Sequence, residues 1–173
     1  MMEIEVKLRV ADVADMRRKL LALGARVVRE RALEENLLFD FPGGGLAAKS
    51  QALRLRIVGR KAFLTFKGAP RKSRSFKVRE EFETEVRNGK EMKRILAALG
   101  FREAFAYRKH RTWLRTTRLA VTLDETAVGA YIELEGERHE ITRFARSLGY
   151  KRTEFITRSY VAMIAEAAAA GRG

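Results

Sequence analysis

The sequence predicts an α+β protein in which antiparallel strands carry one apolar and one charged face and helices pack on the apolar side. Three observations predict this. Segment after segment alternates apolar and charged residues with the period of a strand. Successive strand-like segments are joined by short turns, which favours antiparallel pairing. Between the runs of strands lie stretches whose apolar residues recur at helical spacing. The chain has 173 residues, 46% of them hydrophobic, enough for one domain with its own core.

The first element is MEIEVKLRV. Ile4, Val6, Leu8 and Val10 share one face; Glu3, Glu5, Lys7 and Arg9 share the other. In DVADMRRKLLALG, Asp12 is placed to cap a helix, Val13, Met16, Leu20 and Leu23 form its apolar stripe, and Gly24 ends it. ARVVRERALEENLLFDFP reads as an extended strand pair or one bent strand, and Pro42 to Gly45 as a turn or flexible loop. QALRLRIV sets Leu53, Leu55 and Ile57 against Arg54 and Arg56. After the Gly59-Arg60-Lys61 turn, AFLTFKG sets Leu64 and Phe66 against Thr65 and Lys67. GAPRKSRS is basic, polar and rich in turn formers, and reads as a mobile loop.

KVREEFETEV alternates again, with Arg79, Glu81, Glu83 and Glu85 opposite Val78, Phe82 and Val86. A helix follows in GKEMKRILAALG, with Met92, Ile95, Leu96 and Leu99 on its apolar stripe and Gly100 as its stop. AYRKHRTWLR aligns Tyr107, Lys109, Arg111 and Trp113; His110 faces away from the two cations and reads as structural. LAVTLDET sets Leu119, Val121 and Leu123 against Thr122 and Asp124, and AYIELEGE sets Ile132 and Leu134 against Glu133 and Glu135. HEITRFARSLG and the Ala-rich FITRSYVAMIAEAAAA read as helices.

Lys and Arg number 36 against 22 Asp and Glu, a formal charge of +14, which points to an anionic partner. There is no cysteine, so disulfide and thiolate chemistry are excluded. No apolar run approaches the roughly 20 residues of a membrane span, and no leader is visible, so a cytoplasmic protein without membrane association is expected.

The charged faces fit two arrangements. In one, an open sheet turns them to water. In the other, about eight strands close into a barrel and the charges line its interior. Such an interior would be costly unless it were wet and held an anion with metal. Arg and Lys neutralise phosphate; Glu and Asp offer oxygen ligands to Mg²⁺ or Mn²⁺. A nucleic-acid groove is not expected, because carboxylates sit on the same faces as the cations and would repel a phosphodiester backbone.

The ordered motifs resemble those of the CYTH superfamily, the triphosphate tunnel metalloenzymes, which include class IV adenylyl cyclases, thiamine triphosphatases and inorganic triphosphatases. They are Glu3-x-Glu5-x-Lys7, LRLR (53–56), LTFKG (64–68), Arg79-x-Glu81-x-Glu83, Lys109-x-Arg111, Leu123-Asp124 and Glu133-x-Glu135, with LAALGF between the two strand runs and Ser159-Tyr160 near the end. The resemblance implies an eight-stranded antiparallel tunnel over a single domain, residues 1–173, with helices outside and a charged interior. It implies a divalent metal, Mg²⁺ or Mn²⁺, and a triphosphate small-molecule substrate. By it, Lys7, Arg54, Arg56, Lys67, Arg79, Lys109 and Arg111 bind the triphosphate. Glu3, Glu5, Glu81, Glu83, Asp124, Glu133 and Glu135 hold metal or position water, and Glu3, Glu5, Lys7 and Lys67 are the expected catalytic positions. Which of Glu81, Glu83 and Glu85 meets metal stays open, as three acids share one face.

The chain departs from the family at Asn36-Leu-Leu-Phe-Asp40, where relatives carry a pattern like DxYFD. Hydrolysis of a nucleoside, thiamine or inorganic triphosphate is the expected activity, since no stretch reads as an adenine site, although Phe63 and Trp113 are candidates for stacking. The alternatives are cyclisation of ATP to cyclic AMP and pyrophosphate, or a non-catalytic module binding polyphosphate, nucleotide or RNA. A homodimer is an expectation by family analogy alone.

Overall fold

A computed structural model describes residues 2–171. In chain order the elements are β1 (Met2–Val10), α1 (Val13–Ala22), β2 (Arg26–Asp40), β3 (Ala52–Val58), β4 (Lys61–Lys67), β5 (Lys77–Val86), α2 (Gly89–Ala98), β6 (Arg102–Arg115), β7 (Leu119–Thr126), β8 (Gly129–Gly136), α3 (Arg138–Ser147) and α4 (Tyr160–Ala170), with short 3₁₀ turns at Ala47–Lys49 and Arg152–Glu154. The strands close into an antiparallel barrel in the order β1-β5-β4-β3-β2-β6-β7-β8. The expected α+β barrel is therefore present, with four helices.

Contacts within the chain group it into two compact units. One comprises mainly Ala32–Arg71 and Arg79–Arg108; the other comprises Glu3–Arg31, Lys72–Val78 and the chain from Lys109 onward.

In the second unit the apolar face of β1 (Val6, Leu8, Val10) joins those of β7 (Val121, Leu123) and β8 (Ile132, Leu134) under Met16 and Leu20 of α1 and Ile141 and Ala145 of α3. Asp12 caps α1 by accepting from Asp15 N, and Gly24 ends it at φ +85°, a conformation that favours glycine. Because helices cover the apolar faces, the opposite faces of these strands are the inner ones. In the first unit, Leu37, Phe39, Leu53, Leu55 and Ala62 form the corresponding core with Leu96 of α2. The β3–β4 connection is the two residues Gly59 and Arg60, with Gly59 at φ +59°, as a tight hairpin requires.

Residues 26–40 form one 15-residue strand, the single-strand alternative of the sequence reading rather than a pair. Three features differ from that reading. Of the predicted α2 stripe, only Leu96 is buried and Met92 packs beside it. Ile95 and Leu99, one helical turn apart, are 51% and 64% exposed. Phe82 of β5 is also exposed, stacked on Phe66 at 6.4 Å between centroids. Finally, α4 starts only at Tyr160, capped by Ser159. Upstream, Ile156 is held extended by two backbone hydrogen bonds with Lys7, both 2.9 Å.

The chain leaves β2 through a loop fastened by Asp40. Its carboxylate accepts from the backbone N–H groups of Phe41 (2.7 Å), Leu46 (2.8 Å) and Ala47 (2.9 Å). The Leu46 bond, with those of Ala47 and Phe41, holds its carboxyl below the usual range. Asp40→Ala frees three amide donors and is expected to lower Tm by roughly 2–6 °C in a thermal melt. The contribution of this carboxylate is present above the unfolded aspartate value of about 3.9 and is lost as pH falls through the lower folded value.

Candidate active site

The inner faces of β1, β6, β7 and β8 bring together a first constellation of charges. Register sets Lys7 opposite Glu133, Glu5 opposite Glu135, and Arg111 opposite Asp124. Lys7 Nζ lies 3.0 Å from the Glu133 carboxylate and 3.5 Å from Glu5, and its amine is almost wholly buried. Burial alone would lower the Lys7 pKa, but Glu133 and then Glu5 outweigh it and raise the pKa above the ordinary lysine value. Arg111 also donates to Glu133. Burial pushes the Glu133 pKa up, while Lys7, Arg111 and Lys109 together hold it well below the usual carboxylate range.

Asp124 is fully buried and collects four hydrogen bonds: from Lys109 Nζ (3.0 Å), from Arg111 through Nε (2.6 Å) and Nη2, and from the Tyr160 hydroxyl (2.7 Å). The Tyr160 ring lies 5.0 Å from Lys7 Nζ and 4.5 Å from Lys109 Nζ, so its face adds to the balance of two buried ammonium groups. Burial, and next the negative charges of Glu133 and Asp124, push the phenol well above its ordinary value, so it remains a donor at neutral pH. Lys77 donates to Glu5 at 2.6 Å.

A second constellation is built on β2 to β5. Arg56 reaches Glu34 (3.0 Å) and Glu83 (2.8 Å), with its guanidinium 4.8 Å above the Phe63 ring. Arg54 donates to Thr65 (3.3 Å), and Thr65 donates to Glu83 (2.6 Å). Burial opposes ionisation of Glu83, but Arg56, Thr65, Arg54 and Lys67 lower its pKa. Lys67 pairs with Glu81, and Arg79 donates to the Ser50 carbonyl at 3.0 Å. Asn36, in register with Arg56, is fully buried, and among the described residues neither its Oδ1 nor its Nδ2 has a hydrogen-bond partner. Buried amides are nearly always satisfied, so this side chain fits a wall that meets a polar ligand or water.

The expected site residues thus fall into two sets. Lys7, Lys109, Arg111, Asp124 and Glu133 converge with Glu5, while Arg54, Arg56, Lys67, Arg79, Glu81 and Glu83 form the other. Glu3 and Glu135 occupy half-buried positions on the Glu5 and Glu133 faces. The sequence reading missed Lys77, Glu34 and Thr65. It noted Tyr160 only as part of the family resemblance and gave no role to Asn36. Lys77 was findable, since it lies two residues before Arg79 on the same alternating face.

The family model of the CYTH domain matches residues 1–160. The chain belongs to the CYTH family. Similar proteins are named for adenylate cyclase or triphosphatase activity. This CYTH chain is 26% identical over 172 residues to the "Putative adenylate cyclase MJ0240" of Methanocaldococcus jannaschii, covering 93% of this chain and 97% of that protein. A solved "putative adenylate cyclase" of Vibrio parahaemolyticus has the same fold at TM-score 0.85 and 18% identity, covering 95% of this chain and 98% of that one. A Hippeastrum protein, described as a "putative adenylyl cyclase" with a dominant triphosphatase activity, aligns at TM-score 0.71 and 21% identity, covering 96% and 95%.

The donor set suits a hard divalent cation. Among the described residues no three Asp, Glu, His or Cys side chains converge into a closed metal cage. Mg²⁺ does not need one: it keeps several waters and takes one or two carboxylates together with substrate phosphate oxygens. Glu5 and Glu133, which share Lys7, are two neighbouring carboxylates that could serve as such a pair.

Proposed function

We propose that this CYTH protein is a divalent-metal-dependent triphosphatase that hydrolyses a nucleoside, thiamine or inorganic triphosphate. The observation that carries this reading is the arrangement of Lys7, Lys109 and Arg111 around Glu133 and Asp124. These buried cations are held by carboxylates that a phosphate group can replace as partner.

Lys7, Lys109 and Arg111 bind phosphate oxygens, Arg111 through its planar fork. Arg54, Arg56, Lys67 and Arg79 are assigned the same phosphate-binding role, and Asn36 Nδ2 a hydrogen bond to a ligand oxygen. Glu5 and Glu133 would hold Mg²⁺ or Mn²⁺, with Glu3, Glu81, Glu83, Asp124 and Glu135 as further candidates; bound there, the ion would neutralise phosphate charge and acidify water. Glu133 is ill suited to take a proton, because its cationic neighbours keep it ionised. A half-buried carboxylate, Glu3 or Glu135, is better placed to orient the attacking water. As water oxygen bonds to the terminal phosphorus, the bond to the bridging oxygen breaks and the diphosphate leaves. The fixed cations stabilise the charge developing on that oxygen.

The relatives named for adenylate cyclase favour a second reading, in which the ribose 3′-hydroxyl of ATP attacks the α-phosphorus and pyrophosphate leaves. Product identity separates the two. With ATP, thiamine triphosphate or inorganic triphosphate and Mg²⁺ or Mn²⁺, the expected product is orthophosphate. Cyclic AMP with stoichiometric pyrophosphate from ATP would make the protein a cyclase instead. A protein that binds these compounds without turning them over would be a binding module.

A further inference from the structure

Both constellations set their cations against nearly as many carboxylates, so they account for little of the net charge of +14. One concentration of positive charge outside them surrounds a concavity. Arg138, Thr142 and Arg146 follow one another on successive turns of α3, and with His139, Arg143, Arg152 and Phe76 they line a cavity of about 430 Å³.

Its cations differ from those of the inner faces in how they are held. Arg143 and, from outside the cavity, Arg118 both pair with the buried Glu140, and His139 Nε2 lies 3.2 Å from the same carboxylate. Arg138, Arg146 and Arg152 make no ion pair among the described residues. Arg138 and Arg152 instead lie over the ring of Phe76, 5.9 and 5.3 Å from its centroid, and Arg152 Nε donates to Ser75 Oγ at 3.0 Å. Glu154, two residues after Arg152, accepts from Lys151 N at 2.7 Å. An aromatic ring and a hydroxyl orient a guanidinium without cancelling its charge. Three uncompensated charges at one concavity repel one another, and an anion of matching charge would relieve that repulsion.

We infer that this outer pocket is a binding site for a small anion carrying two or more phosphate groups, separate from the inner constellations. Guanidinium groups pair with phosphate oxygens through parallel hydrogen bonds, and several phosphates are needed to match three arginines. The size of the cavity favours a compact anion. The pocket does not suit single-stranded nucleic acid, because its aromatic ring, Phe76, is only 3% exposed and is covered by guanidinium groups, leaving no face on which a base could stack.

Calorimetric titration of the full chain in EDTA tests this with inorganic tripolyphosphate, ATP and orthophosphate as probes, comparing wild type with Arg138→Gln/Arg146→Gln and with Arg152→Gln. The side chains replaced are exposed and lie outside the proposed catalytic machinery. The expected result is a tripolyphosphate-binding event that weakens about 10-fold or more in the double variant and to a smaller degree in Arg152→Gln. Orthophosphate should bind at least about 10-fold more weakly than tripolyphosphate, while kcat/KM for triphosphate turnover in Mg²⁺ stays unchanged. Equal affinity for ATP and tripolyphosphate would identify a phosphate tail as the recognised group; preference for tripolyphosphate would identify the free anion. Either agrees with the assignment. Identical tripolyphosphate binding by wild type and both variants would overturn it. So would a ten-nucleotide RNA that outcompetes tripolyphosphate at this pocket and loses affinity in the same variants.

Discussion

Asp124→Ala is expected to lower stability by about 3–5 kcal/mol, the cost of breaking a buried ion pair by removing one partner. At roughly 2–4 °C per kcal/mol for a chain of this size, Tm should fall by about 6–20 °C. Asp124 is fully buried and joins three elements: Lys109 and Arg111 of β6, its own strand β7, and Tyr160 at the start of α4. Removing it leaves the Lys109 ammonium, 3% exposed as a residue, with the Tyr160 ring beside it and the Asp124 carboxylate gone. Tyr160→Phe keeps the ring and removes one hydrogen bond, so its cost should be only about 1 kcal/mol. Thermal melts that place Asp124→Ala within about 2 °C of wild type would show that this network does not carry the stability assigned to it.

Glu133→Gln is the second large effect, and it acts on turnover. The amide has nearly the shape of the carboxylate but cannot neutralise Lys7 or serve as a strong oxygen ligand. kcat/KM for triphosphate should fall about 10²–10³-fold, the scale seen when one preorganised electrostatic partner is lost. The pH response should change as well. The folded pKa of Glu133 is depressed, so its contribution to stability is present above the unfolded glutamate value of about 4.3 and is lost as pH falls through the folded value. The folded pKa of Lys7 is raised, so its contribution is present below the unfolded lysine value of about 10.4 and is lost as pH rises through the folded value. In Glu133→Gln the acid-side loss at this pair should vanish, which melts across the acid range would detect.

The barrel was legible in the sequence because period-two alternation survives in short strands, and because a one-residue slip would turn every charge to the other side. That pattern placed Glu5, Lys7, Lys109, Arg111, Asp124 and Glu133 on common faces before any coordinates. It could not say which charge meets which, since register decides that Lys7 faces Glu133 and Arg111 faces Asp124. Contacts made across long sequence separation were not legible either. The reach of Tyr160 to Asp124 spans 36 residues, and the Ile156–Lys7 bridge that precedes α4 pairs positions far apart in the chain. The periodicity of α2 predicted an apolar stripe, but the helix buries Leu96 against the core of β2, β3 and β4 and leaves Ile95 and Leu99 in solvent. Asn36 read as a departure from a motif; only its burial, with no partner for either amide atom among the described residues, makes it a candidate ligand group.

The central claim is that the sign-paired inner charges serve metal-dependent turnover of a triphosphate. The most direct test measures orthophosphate release from ATP, thiamine triphosphate and inorganic triphosphate by the purified chain, with Mg²⁺ or Mn²⁺ and again in excess EDTA. Release from at least one of the three with metal, abolished by EDTA and reduced at least about 100-fold in Glu133→Gln, is the predicted result. Release that continues undiminished in EDTA or in Glu133→Gln, or no turnover of any of the three with either metal, would contradict it.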